Sequence, residues 1–531
     1  MKMKKGLILT LFAAIFGMLS ASNKAAIDYY ESGDLKKAKT ILMSSSNLDA
    51  TDCYYLGLIY LKENNKNAAQ ESFNNGLKLD PSNSYNKVGL AAVNMSSDIK
   101  TAQKELMDIS KLFKKDPKML VAIAEAYALN NNSVQMSLFL DKAKKADKKS
   151  ALPYIFEGEQ LMDQGNNNEA AVRFETALYF DPNSKIALVK LAQLYVGTRK
   201  QIAFDYLDKA TKLDPNYEYG WITQADLRYK NGFYPEAKAA FEMYMSLIKP
   251  QPEDYQTYGE ILYFNKDYNG ALNALANAPV NTVSNRLKLY SMYDLNRFDE
   301  AMPLAQTLIN TTNPSELIWQ DYNYYAQLLN KTKDYPNAAK YYELAYQKDT
   351  TKLNTLADVA RNYEKALDYP NAVKYYQKLI DKNPNLTLGD LYSLGSAYYN
   401  AGTNTTVTPD AVQRMDYLSK ANDAFAKIVE NFPDNYLGYL LQARANSAMD
   451  PETTKGLAKP YYEKALEMML PNQTERKNDI LEVYQYLGIY YLKTDNYPQS
   501  RAYWVKVLEL DPTNSIAQQV IKSIDSSKKK K

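Results

Sequence analysis

Histidine is absent from all 531 residues, and cysteine occurs once, at Cys53. Without histidine the chain lacks the commonest general base, the usual base of a nucleophilic triad and the commonest metal ligand. A single cysteine excludes an internal disulfide, a thiolate zinc site and an iron–sulfur cluster. Set beside Tyr54, Tyr55, Leu56 and Gly57, Cys53 reads as a small core residue rather than a reactive thiol. Glycine is sparse, 19 in all, and forms neither a G-x-G-x-x-G run nor a P-loop, so nucleotide binding has no support. Carboxylates are plentiful, but the sequence gives no way to bring two of them together for acid–base work. The reading is therefore not an enzyme, and no cofactor or metal is expected.

Long apolar runs are equally scarce. The one present, Gly6 to Leu19, follows Lys2, Lys4 and Lys5 and precedes the small residues Ser20, Ala21 and Ser22. This pattern predicts a signal peptide over residues 1–22, cleaved near Ser22, and hence an exported, periplasmic protein. The run is shorter than the roughly 20 apolar residues a membrane span needs, and no cysteine at the junction offers a lipid anchor. No transmembrane span is expected in the mature chain. Removing residues 1–22 takes three lysines and no acids, lowering the formal charge from +3 to zero, and Lys528 to Lys531 then carry +4. The folded body is thus slightly acidic, which argues against a nucleic-acid partner.

What the chain does have is periodicity. KDYPNAAKYY at Lys333–Tyr342 returns as LDYPNAVKYY at Leu367–Tyr376, thirty-four residues later. A period of this length marks a supersecondary unit that buries its apolar face only against copies of itself. Rows of thirty-four align Tyr484, Leu487, Gly488, Tyr491, Ser500, Trp504, Val507 and Pro512, and earlier Leu56, Gly57, Tyr60, Ala69, Phe73, Gly76 and Pro81. A third row gives Tyr154, Gly158, Leu161, Ala170, Phe174, Ala177 and Pro182. Spacings of three and four place one apolar stripe on each of two helices. The small residues, including Ala326 and Ala338, sit where two backbones come close, and an aromatic fills the wedge beside them. Asp334 to Asn337 reads as the turn inside a hairpin, with Pro336 in the first turn of the second helix, and Leu-Asp-Pro elements such as Leu510–Pro512 close each unit. The chain also holds 47 tyrosines against 15 phenylalanines and 3 tryptophans. Their recurrence, as at Tyr342, Tyr376, Tyr398 and Tyr462, reads as the aromatic demand of the repeat rather than a ladder for sugars or peptides.

These rows resemble the tetratricopeptide repeat, whose signature is W-x2-L-G-x2-Y, then A-x3-F, A and P. About fourteen units are predicted over residues 23–514, with possible sub-arrays 23–283 and 284–514, followed by a capping helix and lysine-rich tail over 515–531. The expected fold is an all-α, right-handed α-solenoid. Two rows, Ser84–Asp116 and Ser284–Pro314, match poorly. About fourteen extra residues near 401–414, rich in Thr and Asn, are expected as a surface loop, with shorter interruptions at Asp450–Lys455 and Pro471–Asn478.

The resemblance implies a concave groove lined by the first helices, in which a protein or peptide partner lies. By register, the central groove would comprise Asn323, Gln327, Asn330 and Lys331, then Arg361, Glu364 and Lys365, then Tyr392, Ser396 and Tyr399. The Lys and Asn clamp by which some relatives hold a C-terminal carboxylate does not assemble here. The expected role is a non-catalytic protein-binding scaffold in the periplasm or on an envelope assembly. The rivals are a glycan-binding protein of carbohydrate uptake and an enzyme built on a helical toroid.

Overall fold

The computed structural model describes residues 23–528, so the predicted signal peptide at 1–22 and the last three lysines lie outside the described residues. Among those described, the regular structure is entirely helical: 29 α-helices and one 3₁₀ turn. The chain divides into two compact units at Pro279 and Val280.

The first unit opens with α1 (residues 23–31) and α2 (Leu35–Ser44), then α3 (Ala50–Lys62) and α4 (Lys66–Leu79), α5 (Ser84–Asn94) and α6 (Ile99–Leu112). It continues with α7 (Pro117–Ala128) and α8 (Ser133–Ala146), α9 (Leu152–Asp163) and α10 (Asn167–Phe180), α11 (Lys185–Tyr195) and α12 (Lys200–Leu213). The last pairs of this unit are α13 (Glu218–Lys230) with α14 (Tyr234–Leu247) and α15 (Pro252–Phe264) with α16 (Tyr268–Leu275). The second unit comprises α17 (Thr282–Asp294) and α18 (Phe298–Thr311), α19 (Trp319–Lys331) and α20 (Tyr335–Lys348), α21 (Asn354–Lys365) and α22 (Tyr369–Lys382). After these come α23 (Leu388–Thr403) and α24 (Ala411–Asn431), α25 (Leu437–Met449) and α26 (Lys459–Met469), α27 (Lys477–Lys493) and α28 (Tyr497–Leu510), and finally α29 (Ser515–Lys528). That is fourteen hairpins and one closing helix, an all-α solenoid in which even the poorly matching rows keep their two helices.

The turn within each hairpin follows from local chemistry. Lys333 adopts φ 63° and Leu367 φ 61°, the left-handed conformation that ends a helix. The amide of Asp334 donates to the Leu329 carbonyl at 2.9 Å and that of Lys333 to Asn330 at 3.1 Å, satisfying carbonyls the helix leaves open. The Asp334 side chain then accepts from the Asn337 amide, so the residue that closes α19 also caps α20. Asp368 does the same between α21 and α22. Left-handed residues recur at this place in Gly33, Asn64, Asn131, Gly165, Gly232 and Asp495, which is why the turn chemistry repeats with the fold.

Within a hairpin the helices meet through small residues. Ala326 and Ala338 are fully buried. Ser500 donates to the Gly488 carbonyl at 2.8 Å, and a Cβ at Gly488 would stand 2.8 Å from Nε1 of Trp504. Cys53 is buried, as a core residue should be. Neighbouring hairpins are joined by hydrogen bonds spanning about one repeat: Asn400 donates to Glu364 at 2.8 Å, and Trp319 donates to Thr355 at 3.2 Å.

Residues 401–414 depart from the expected loop. Helix α23 runs on to Thr403 and α24 begins at Ala411, leaving only 404–410 between them. The reason is burial: Ala401 and Tyr417 pack with Tyr369 of the preceding hairpin, so the extra residues lengthen both helices. A long turn of Thr and Asn was the wrong inference from composition, because the apolar members of the insertion have a surface to cover.

Candidate functional site

First helices touch first helices of the next hairpin, as α3 with α5, α5 with α7, α7 with α9, and α17 with α19. Through side-chain hydrogen bonds this inner row continues in the second unit from α19 to α21 and from α21 to α23. In the second unit the row carries the ten groove positions expected from the sequence. Lys331, Arg361, Lys365 and Tyr392 are exposed, while Gln327, Asn330, Glu364, Ser396 and Tyr399 are half-buried. The structure corrects Asn323, which is buried and presents no surface to a partner. Helix α19 is packed by α17, α18 and α20 and bonded to α21, which leaves it a narrower open strip than its register implies.

Several of these side chains are tied to one another. Lys365 donates to Asn330 at 3.4 Å and lies 5.3 Å from the ring of Tyr335, and Lys331 stands 5.0 Å from the Phe298 ring. Arg361 pairs with Asp358 at 2.9 Å on its own helix, and Glu364 accepts from Asn400 and from Tyr376. The outcome is a lattice of long side chains on α19 and α21, while on the next first helix, α23, Tyr392 is 46% exposed. At one end of the row lies a built ion pair: Arg286 grips the fully buried Asp321 through two bonds of 2.7 Å, and Tyr290 donates to the same carboxylate at 2.7 Å.

The first unit is different, in a way the sequence did not reveal. Its inner row closes on itself. Lys190 of α11 donates to the Ser32 carbonyl at 2.9 Å, the Ser32 and Tyr217 hydroxyls lie 3.4 Å apart, and Tyr29 meets Tyr219 edge-on at 5.8 Å. Lys185 holds Asp214 at 2.6 Å and Asp28 at 3.4 Å, and Lys24 adds a second contact to Asp214 at 2.9 Å. Burial pushes the Asp214 carboxyl up, but the bonds and charges of Lys185 and Lys24 outweigh it and hold the group at about 2.

Closure forms a half-open cavity of about 240 Å³, walled by α1, α3, α5, α7, α9 and α11. Tyr30, Tyr54, Tyr55, Tyr85 and Phe156 supply aromatic surface, and Glu31, Glu125 and Glu159 bring carboxylates together from three helices. Tyr30 donates to Glu125 at 2.6 Å, with Lys62 3.6 Å from the same carboxylate. Burial pushes Glu31 up to about 7 and Glu159 up to about 8. Only the pairing of hairpins far apart in sequence creates this site; the one signal available beforehand was the crowding of tyrosine in α3. Among the described residues no group of three or more Cys, Asp or Glu side chains is placed to hold a metal ion, and no helix is long and apolar enough to cross a membrane.

Stacked two-helix units with small residues at their contacts and an inner row of first helices define a helical-repeat scaffold. Residues 359–386 match the family model described as tetratricopeptide repeat. The chain is 30% identical to the C-terminal part of a tetratricopeptide-repeat protein from Cytophaga hutchinsonii, covering 99% of that chain and 50% of this one, with a TM-score of 0.40. Other solved structures it resembles are PilF of Pseudomonas aeruginosa (20% identity, 94% of that chain and 45% of this one, TM-score 0.25) and a tetratricopeptide-repeat protein from Parabacteroides merdae (13% identity, 98% and 46%, TM-score 0.30). No curated protein matches. On the sequence identity that spans the Cytophaga protein and on the repeat match, this chain belongs to the tetratricopeptide-repeat family. Such proteins are in general non-catalytic scaffolds for protein partners.

Proposed function

We propose that the protein is an exported, non-catalytic scaffold that binds a partner protein along the inner row of the second unit, at an envelope assembly. The observation that carries this reading is the run of exposed Lys331, Arg361, Lys365 and Tyr392 on consecutive first helices. An exposed tyrosine and arginine on successive first helices, with lysines on α19 and α21, suit a protein-binding surface: the ring supplies contact area at low entropy cost and the charges set orientation. Export rests on the basic, apolar and small-residue succession of residues 2–22.

The test is a crosslinked pull-down from the native envelope fraction. Wild type is compared with a variant carrying Lys331→Ala, Arg361→Ala, Lys365→Ala and Tyr392→Ala, after both are shown to melt alike. A partner captured by wild type and lost from the variant supports the reading. The same partner retained by the variant overturns the assignment of the surface. N-terminal sequencing of the secreted form checks export, with cleavage expected near Ser22.

A further inference from the structure

The cavity of the first unit has a chemistry of its own. Its floor and walls are buried Tyr30, Tyr54, Tyr55, Ile155 and Phe156, and its rim is formed by exposed Lys118, Leu152 and Asp163. At about 240 Å³ it exceeds the roughly 30 Å³ share of one liquid water several times over. A concave space of this kind, open at its rim and with aromatic faces and a few convergent polar groups, is the usual form of a small-ligand site.

The charges in the wall decide which ligand. Two of the three lysines are already engaged: Lys62 with Glu125 and, 4.5 Å away, the Tyr30 ring; Lys190 with the Ser32 carbonyl at 2.9 Å. Lys118 stands at the rim, 5.9 Å from the Tyr85 ring. Among the carboxylates, Glu125 has both Tyr30 and Lys62, whereas Glu31 has only a long 3.4 Å bond from Tyr55. Glu159 has no hydrogen bond or close ion pair among the described residues: burial acts on it most, the charges of Lys190 and Lys62 reach it from a distance, and those of Glu125 and Glu31 oppose them. An anion entering this cavity would face Glu31 and Glu159 at close range, and a neutral apolar molecule would bury Glu159 without a hydrogen bond and leave Glu31 only its long one from Tyr55, which is costly. A cation satisfies the carboxylates and is attracted by the negative faces of the tyrosine rings.

From this geometry we infer that the cavity is a binding site for an organic ammonium group, either a free aliphatic amine or a lysine side chain of a peptide, with Glu159 and Glu31 as its anionic contacts and the tyrosines as its cage. The site is separate from the inner row of the second unit and does not depend on the function proposed there. Burial raises Glu31 to about 7 and Glu159 to about 8 against the lowering charges of the wall lysines, so an added ammonium group that draws them down releases protons near neutral pH.

The experiment is calorimetric titration of the full chain with putrescine, with N-acetyl-lysine methylamide and with n-butanol as the uncharged control, in two buffers of different ionisation enthalpy. Saturable binding of either amine, proton release, and no binding of butanol are expected. Putrescine binding alone assigns a free amine, and binding of the lysine analogue alone assigns a peptide side chain. Glu159→Gln should weaken the amine about tenfold or more, the loss of one charge-assisted contact, while Glu169→Gln, at an exposed position of α10 outside the cavity, leaves it unchanged. If Glu159→Gln fails to fold, Glu31→Gln takes its place. No saturable heat with either amine, equal affinity for butanol, or undiminished affinity in the carboxamide variant overturns the inference.

Discussion

The Lys190 ammonium reaches the main-chain carbonyl of Ser32 across 158 residues of sequence, at 2.9 Å. Lys190 is the one buried lysine among the described residues, and this contact ties the first hairpin to the sixth, turning a row of hairpins into a closed unit. Replacing it with methionine keeps the stem but leaves the Ser32 carbonyl without this donor. The expected cost is about 1–3 kcal/mol, the penalty for an unsatisfied buried acceptor. Hydrogen exchange should accelerate in residues 23–44 and stay unchanged in the second unit, where no packing is altered.

Asp321 is a fully buried carboxylate of the second unit, held by two nitrogens of Arg286, by Tyr290 and by the Ile318 amide. Asp321→Asn leaves the arginine without its counter-charge inside the fold. A loss of about 3–5 kcal/mol is expected, read as a lowered denaturant midpoint.

Leu367 occupies the left-handed turn with φ 61° and half its surface in water, so its side chain gains little and its backbone is strained. Asparagine tolerates that conformation far better. Leu367→Asn should raise the stability of the second unit by about 0.5–1 kcal/mol, whereas Leu367→Pro, which cannot adopt positive φ, should lower it. Thermal melts of the two variants check both signs.

At Gly488 there is no room for a methyl group, because Trp504 is fully buried against it. Gly488→Ala should cost about 1–3 kcal/mol through displacement of the indole. Near-ultraviolet circular dichroism of the tryptophan should change with it, and a variant with unchanged spectrum and midpoint would contradict the packing described.

The two raised carboxyls make the first unit pH-dependent. In the unfolded chain both titrate near 4.5, but in the folded unit Glu31 titrates at about 7 and Glu159 at about 8. Between those values the folded state holds more protons, so stability falls as pH rises from about 4.5 to 8 and levels off above. Asp214 acts oppositely: its carboxyl, held at about 2, lends stability above its unfolded pKa of 3.8 that is lost as pH falls through 2. Glu159→Gln should flatten the upper slope in a series of melts at fixed ionic strength.

The repeat was legible because it is local. A hairpin needs its small residues, its Asp cap and its closing proline within thirty-four residues, and Asp334, Ala338 and Gly488 announce it wherever they recur. The closure of the first unit was not, since Ser32, Lys190 and Tyr217 meet only after many small rotations between hairpins have accumulated, and no local pattern encodes that sum. Asn323 failed for a related reason: register places it on a helix face, but the neighbours of α19 decide how much of that face stays open. In residues 401–414 a polar composition hid Ala401 and Gly402, both buried.

Where a partner touches the second unit is read most directly by site-specific crosslinking. A photocrosslinking amino acid placed at Arg361 or Tyr392 on the first helices is compared with one at Lys340 or Lys374, exposed on second helices. Crosslinks to one and the same partner protein from positions 361 and 392, and none from 340 and 374, are the predicted result. Crosslinks from 340 and 374 alone would contradict it and move the binding surface to the other side of the hairpins.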